Sequence, residues 1–328
     1  MKLLFVADPL ATFKTYKDST FAMMREAARR GHELWACEAR EMGWRQDHPV
    51  GTAARRIRLT GDELAWFTVE EEARIALRDM DAVVMRKDPP FDTEYLYATH
   101  LLTQAEREGA RVFNRAQALR EHPEKLAILE FPQFIAPTLV SSDVDTLKAF
   151  HAEHGDVILK PLDGMGGAGI FRVKQDALNL GSILESLTLL GTRTIMAQRY
   201  LPAITQGDKR VLLIGGEPVP YALARIPQGT EVRGNLAAGG KGVAQPLSAS
   251  DRAIAETLAP ILAARGLLLV GLDIIGDRLT EINVTSPTCF QEITQQTGWD
   301  VASRFIDALE QQVAAATAAQ ATTADYRE

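Results

Sequence analysis

Short apolar runs alternate with amphipathic stretches along this chain, and their order predicts a mixed α/β protein, α+β in its later part. Residues 2–8 (KLLFVAD) read as an apolar strand, and a helix follows in which Ser19 caps TFAMMREAARR and Gly31 closes the run. Residues 33–37 supply the next strand, so the chain opens as a βαβ unit. The theme returns in a strand over 81–86 (DAVVMR), a helix over 92–108 and a strand over 110–114. Residues 1–122 are therefore expected to form an open parallel sheet. Arg86 stands at the carboxyl end of a strand, where such sheets gather their ligands.

Two further lobes are expected, 123–200 and 201–316, followed by a disordered tail over 317–328 that lacks packing residues. The first lobe holds short helices over 123–131, carrying Lys125, and over 147–153. A strand over 156–161 bears Lys160, the loop DGMGGAG follows, and a strand over 170–174 leads to a helix over 176–189 and a strand over 194–198. The break Tyr200-Leu201-Pro202 separates the lobes. In the second, strands over 209–214 and 218–226 meet at Gly215-Gly216 and present Arg210 and Arg225. Residues 227–242 contain five glycines and no periodicity, which predicts a long mobile loop. Helices over 250–265 and 299–315 flank the most informative stretch, residues 268–288.

That stretch, LLLVGLDIIGDRLTEINVTSPT with its leading leucine, places Asp273, Glu281 and Asn283 on two apolar runs separated by a Gly-Asp turn signal. A regular hairpin with a two-residue turn at Gly276-Asp277 would put Asp273 on the opposite face from Glu281 and Asn283. A three-residue loop, Gly276 to Arg278, instead pairs Asp273 with Glu281 and Gly271 with Asn283, leaving Leu272, Ile274, Ile282 and Val284 on the other face. Amphipathicity selects the second register. Two carboxylates at cross-strand distance repel unless a cation lies between them, and ligands of oxygen alone suit Mg2+.

Composition narrows the class. With 46% hydrophobic and 24% charged residues the chain can bury a large core, and its net charge of −7 argues against a nucleic-acid partner. The N-terminal apolar run is too short for a signal peptide, and no apolar run reaches the ~18 residues of a membrane span. Cys37 and Cys289 are the only cysteines, which suits a reducing cytoplasm. Cys289 is read as a packed thiol and the dispersed histidines, His151 and His154 included, as surface residues. Gly164, Gly166 and Gly169 satisfy a dinucleotide fingerprint by spacing, but alternating residues follow them where that fingerprint needs a helix. What remains is a glycine hairpin loop whose backbone N–H groups can close over phosphate.

Together, MRKDPPFDTEY, DGMGGAGIFRV, MAQRYLPA, GDKRVL, ALARIPQGTEVRGNLAAGGKG and GLDIIGDRLTEINVTSPT resemble the bacterial glutathione synthetase family of the ATP-grasp superfamily, over about residues 1–315. The resemblance implies an ATP-grasp fold behind an N-terminal parallel-sheet domain, and an ATP-dependent ligase joining γ-glutamylcysteine to glycine through an acyl phosphate. It implies that Lys125, Lys160 and the loop at Gly164, Gly166 and Gly167 hold the ATP phosphates, that Gln198, Tyr200 and Leu201 meet adenine, and that Asp208 lies nearby. Asp273, Glu281 and Asn283 would bind two Mg2+, with Mn2+ a possible substitute. Arg86, Arg225 and Arg233, with Ser286, Pro287 and Thr288, would bind the peptide substrate, and Arg210 and Arg233 would act on the transferring group. The loop over 227–242 would cover the acyl phosphate, and the enzyme would be a cytoplasmic homotetramer. Two other readings compete: a ligase of the D-alanine:D-alanine type and a non-catalytic ATP-binding module. The three arginines favour a substrate with several carboxylates, and Glu281 with Asn283 favours catalysis.

Overall fold

The computed structural model describes residues 1–229, 234–236 and 239–325, with side chains described as far as 318. Arg233 and much of the expected covering loop therefore lie outside the described residues. Among the described residues the strands form three sheets.

The first domain carries β1 (Lys2–Val6), α1 (Ser19–Arg29), β2 (Glu33–Cys37), β3 (Met42–Arg45), β4 (His48–Leu59), β5 (Phe67–Ala76), β6 (Ala82–Met85), α2 (Thr93–Arg107), β7 (Val112–Phe113) and α3 (Ala116–Glu121). Strands β2, β1, β6 and β7 are parallel, as the βαβ pattern requires. The sheet is not parallel throughout, because antiparallel β4 extends it beyond β2 and pairs in turn with β3 and β5. Its outer strands escape a hydrophobicity reading because β5 is mostly exposed and is held through ion pairs such as Arg56–Glu71 and Arg58–Glu70. The cap of α1 is Asp18, whose carboxylate accepts from Phe21 N at 2.7 Å, one residue before the expected Ser19. Ser19 Oγ accepts instead from Phe290 N, far along the chain.

The second sheet, in the order β10-β9-β11-β8, is built from β8 (Thr138–Ser141), β9 (Val157–Pro161), β10 (Phe171–Val173) and β11 (Ile195–Arg199). It is backed by α4 (Val144–His154) and α5 (Leu180–Thr188). The helix expected around Lys125 is only a turn followed by a 3-10 segment, Ala127–Glu130. His151 is buried and hydrogen-bonds Lys174 O, so it is a core histidine rather than a surface one.

The third sheet runs β14-β13-β12-β15-β16, from β12 (Asp208–Ile214), β13 (Glu217–Ile226), β14 (Lys241–Pro246), β15 (Leu269–Ile275) and β16 (Arg278–Asn283). With it pack α6 (Ala249–Ala264), α7 (Phe290–Thr297) and α8 (Val301–Asp325). Helix α8 continues past 316 to Asp325, where a disordered tail was expected. The run of alanines and threonines has few packing side chains, but alanine carries the highest helix propensity and lets the helix propagate.

The cores follow this division unequally. Two apolar clusters each join the first domain to the third sheet, while the cluster of Leu147, Val157, Leu159, Leu184 and Ile195 is confined to the second sheet and its helices. Asn114 strengthens the first junction, donating to the carbonyls of Leu269 and Val284 and accepting from Leu269 N.

Candidate active site

Strand alternation places the charges. On β12 Asp208 and Arg210 share one face, while Lys209 points to the other and pairs with Asp251 of α6. Arg225 lies opposite Asp208, Asp273 opposite Arg210, Glu281 opposite Asp273, and Asn283 opposite Gly271. One face of four adjacent strands thus carries Asp208, Arg210, Arg225, Asp273, Glu281 and Asn283, two of the four arginines expected at the site among them.

The expected register is present, but by another route. Ile275 pairs with Arg278, so the turn has two residues, and a bulge follows in which Ile274 pairs with Leu279 and Asp273 with Glu281. Thr280 is the extra residue, and its hydroxyl donates to Asp273 O at 3.1 Å. The bulge lets Leu279 and Ile282, three apart, both point into the core.

Cations of the chain compensate the two carboxylates. Arg210 donates to Asp273 from Nε at 2.6 Å and from Nη2 at 3.2 Å, and Arg225 Nη2 lies 2.9 Å from Asp273 Oδ2 and 2.5 Å from Asp208 Oδ2. Glu281 Oε1 lies 3.6 Å from Lys125 Nζ and 3.8 Å from Lys160 Nζ. Burial disfavours the charged form of Asp273, yet the two guanidiniums outweigh it and hold the carboxyl well below the usual carboxylate range. At Asp208 burial dominates despite Arg225, and with the charges of Asp273 and Glu281 it pushes that carboxyl up to about 7. Burial likewise lowers the Lys160 ammonium.

The facing wall comes from the second sheet. Lys160 on β9 reaches toward Thr280 O at 3.4 Å, and Lys125 donates to Gly164 O at 2.6 Å. Gly166 and Gly167, at φ of 61° and 83°, turn the loop through left-handed conformations that suit glycine. The strand β10 that follows, antiparallel to β9, excludes the dinucleotide fingerprint. Farther along, Gln198 donates to Thr138 Oγ1, Tyr200 N is committed to Asp156 O, and Arg172 stacks 3.5 Å over the Tyr200 ring.

Between the walls lies a cleft of about 310 Å3, a size suited to small ligands. Lys125, Lys160, Gly164, Gly166, Gly167, Gln198, Tyr200 and Leu201 line it on one side. Asp208, Arg210, Arg225, Asp273, Glu281, Asn283, Ser286, Pro287 and Thr288 line it on the other. Arg86 is not among the lining residues. It is buried beneath the turn 286–288, donating to Thr20 Oγ1 and to Pro287 O, so it supports that turn from behind. Cys289 lines the cleft as a buried free thiol whose ionisation burial opposes. Sequence reading missed Asp88, which lines the cleft and accepts from Ser286 Oγ at 2.5 Å, and Glu124, whose carboxylate caps residues 284 and 285. Proximity to MRK and to Lys125 was the only signal for either.

The groups fit a divalent cation. Glu281 is not within hydrogen-bond range of either lysine, and Asp208 Oδ1 is a buried acceptor without a partner. Among the described residues no three His, Cys, Asp or Glu converge, so these side chains would supply only part of a cation's coordination shell. Mg2+ commonly completes such a shell with phosphate oxygens and water.

Comparison with known proteins agrees with this architecture. Residues 1–120 match the model of the prokaryotic glutathione synthetase N-terminal domain, and residues 124–298 that of the prokaryotic glutathione synthetase ATP-grasp domain. Glutathione synthetase of Ralstonia nicotianae is 63% identical over 310 residues, 94% of this chain and 95% of that protein. That of Nitrosomonas europaea is 59% identical over 318 residues, 96% and 99% of the two chains. The D-cycloserine synthetase DcsG superposes with a TM-score of 0.68 at 17% identity, covering 95% of this chain and 100% of that one. The ATP-grasp ligase PsnB, complexed with minimal precursor, gives 0.63 at 20%, covering 95% and 99%. These two likenesses concern the fold alone. The chain belongs to the prokaryotic glutathione synthetase family, and it is an ATP-dependent ligase with the ATP-grasp fold.

Proposed function

We propose that this ligase joins γ-glutamylcysteine to glycine, forming glutathione with release of ADP and phosphate, and that the cleft is its active site. The observation that carries the reading is the opposition, across one cleft, of two lysines with a glycine loop to a sheet face of two arginines, three carboxylates and an amide. A carboxylate is a poor electrophile at neutral pH. The cysteinyl carboxylate therefore takes the γ-phosphoryl group of ATP, the glycine amine adds to the acyl phosphate, and phosphate leaves as the peptide bond forms. No side-chain nucleophile is required. The chain's task is positioning and charge stabilisation.

In this reading Lys125, Lys160 and the loop 164–167 hold the phosphates, and residues 198–201 border the adenine. Arg225 and the turn 286–288 take the carboxylates of the peptide, and Arg210 faces the transferring group while steadying Asp273. Asp273, Glu281 and Asn283, with Asp208 beside them, would hold Mg2+ or Mn2+, which when bound neutralises phosphate charge. Residues 1–122, 123–200 and 201–316 act as three lobes around the nucleotide. A cytoplasmic homotetramer completes the proposal; among the described residues no helix is long and apolar enough to cross a membrane.

The test follows ADP release with γ-glutamylcysteine plus glycine and, in parallel, with D-alanine. Release with the first pair alone is expected. Release with D-alanine alone overturns the assignment, and light scattering on the purified protein checks the tetramer.

A further inference from the structure

Asn283 ends β16, the edge strand of its sheet, and a ligand amide there needs its backbone held on both sides. One residue does this. The Glu124 carbonyl accepts from Ile282 N at 2.9 Å. Its carboxylate Oε1 accepts from Val284 N at 3.0 Å, from Thr285 N at 3.1 Å and from Thr285 Oγ1 at 2.8 Å. Asn283 is thus bracketed by bonds to a single residue, and its own Nδ2 donates to Gly271 O at 3.1 Å on the neighbouring strand. Glu124 is half-buried, and loss of solvent raises its carboxyl against the pull of the Thr285 and Val284 donors. A carboxyl withdrawn from water is costly unless its hydrogen bonds are made.

We propose that Glu124 is a positioning residue that fixes the backbone around Asn283, and through it the geometry of the divalent-cation site. The inference rests on the reading of Asn283 as a metal ligand. Groups that orient ligands without touching the metal commonly change its affinity by about 10–100-fold when removed. A merely structural role predicts loss of stability, with metal affinity unaffected among folded molecules.

The test measures Mn2+ binding in the presence of ADP, by the electron paramagnetic resonance of free Mn2+, with thermal unfolding as the check on folding. Glu124→Ala is expected to weaken Mn2+ binding about tenfold. Glu124→Gln, which keeps an acceptor oxygen, should stay within about threefold of the unmodified protein. If Glu124 acts through Asn283, the double variant Glu124→Ala/Asn283→Ala binds no more weakly than Asn283→Ala alone. Unchanged affinity in Glu124→Ala beside a weakened Asn283→Ala overturns the positioning role while sparing the ligand reading. Full additivity, or equal loss in Glu124→Gln, also overturns it. Unchanged affinity in Asn283→Ala removes the ligand reading and the proposal with it. Should Glu124→Ala not fold, Thr285→Val takes its place: about threefold weakening is expected, and none refutes the role.

Discussion

Gly271 sits in the middle of a buried strand, where glycine weakens the ladder and needs a reason. A Cβ there would lie 2.9 Å from Arg210 Cδ, 3.2 Å from its Nε and 3.2 Å from Pro287 Cβ. The missing side chain is the passage through which Arg210 reaches Asp273. Gly271→Ala is therefore expected to displace the guanidinium, costing about 1–3 kcal/mol in stability as overpacking does. Loss of kcat/KM by at least about tenfold should accompany it. Thermal unfolding with steady-state kinetics measures both, and an unchanged kcat/KM would show that the Arg210–Asp273 contact is dispensable. Glu281→Gln tests the opposite end of the same row. The shape is kept, but Lys125 and Lys160, 3.6 and 3.8 Å away, lose their shared counter-charge and the cation site loses an anionic ligand. We expect a folded protein whose turnover falls about a hundredfold or more and whose half-saturating Mg2+ concentration rises. Near-normal turnover would remove Glu281 from the ligand set.

The hairpin of β15 and β16 shows what periodicity can and cannot read. A period of two assigns faces, so the pairing of Asp273 with Glu281 and of Gly271 with Asn283 was legible from LVGLDII and RLTEIN. The turn was not, because a three-residue loop and a two-residue loop followed by a bulge yield the same far register. Packing decides between them: Leu279 and Ile282 are both fully buried, which a regular strand forbids at a spacing of three. The β4 and β5 extension was invisible for another reason, since β5 is mostly exposed and held to β4 by Arg–Glu pairs, which leaves it no apolar signature. Arg86 was placed correctly at a strand end, but only three dimensions reveal that the turn 286–288 covers it. The bulge gives an unusual prediction. Deleting Thr280 removes the extra residue while leaving Ile274 opposite Leu279 and Asp273 opposite Glu281, so the acidic row should survive. The deletion loses the bond to Asp273 O and the carbonyl facing Lys160, which together are worth about 1–2 kcal/mol. A folded enzyme within about tenfold of full activity is expected. A folded but inactive deletion would mean that the register depends on the bulge itself.

Among the described residues, the first domain and the third sheet pack as one body, and the second sheet faces them across the cleft. The first domain and the third sheet share two apolar clusters, and Asn114 clamps the carbonyls of Leu269 and Val284 across their junction. Arg30 adds bonds to Asp307 and Glu310 of α8. The second sheet has its own core, and its contribution to a shared cluster is Met196 with the partly buried Val140 and Leu162 at its margin. Across the cleft it is tied by contacts such as Lys160 to Thr280 O and Lys125 and Lys160 to Glu281. A unit with a private core and few bridging bonds opens at lower free energy than the body it rests on. Without ligand, the amides of β9 and β11 should therefore exchange with deuterium faster than those of β12 and β15. ATP with Mg2+ bridges the walls, so it stabilises the closed arrangement by the free energy of binding. At about a hundred times Kd that amounts to ~2.7 kcal/mol, or roughly a hundredfold slower opening of the second sheet. Exchange measured by mass spectrometry on peptides from β9, β11, β12 and β15, with and without the nucleotide, checks this directly. Equal protection of all four strands in the free protein would show one cooperative body, and a ligand effect confined to β12 and β15 would place the nucleotide on one wall alone.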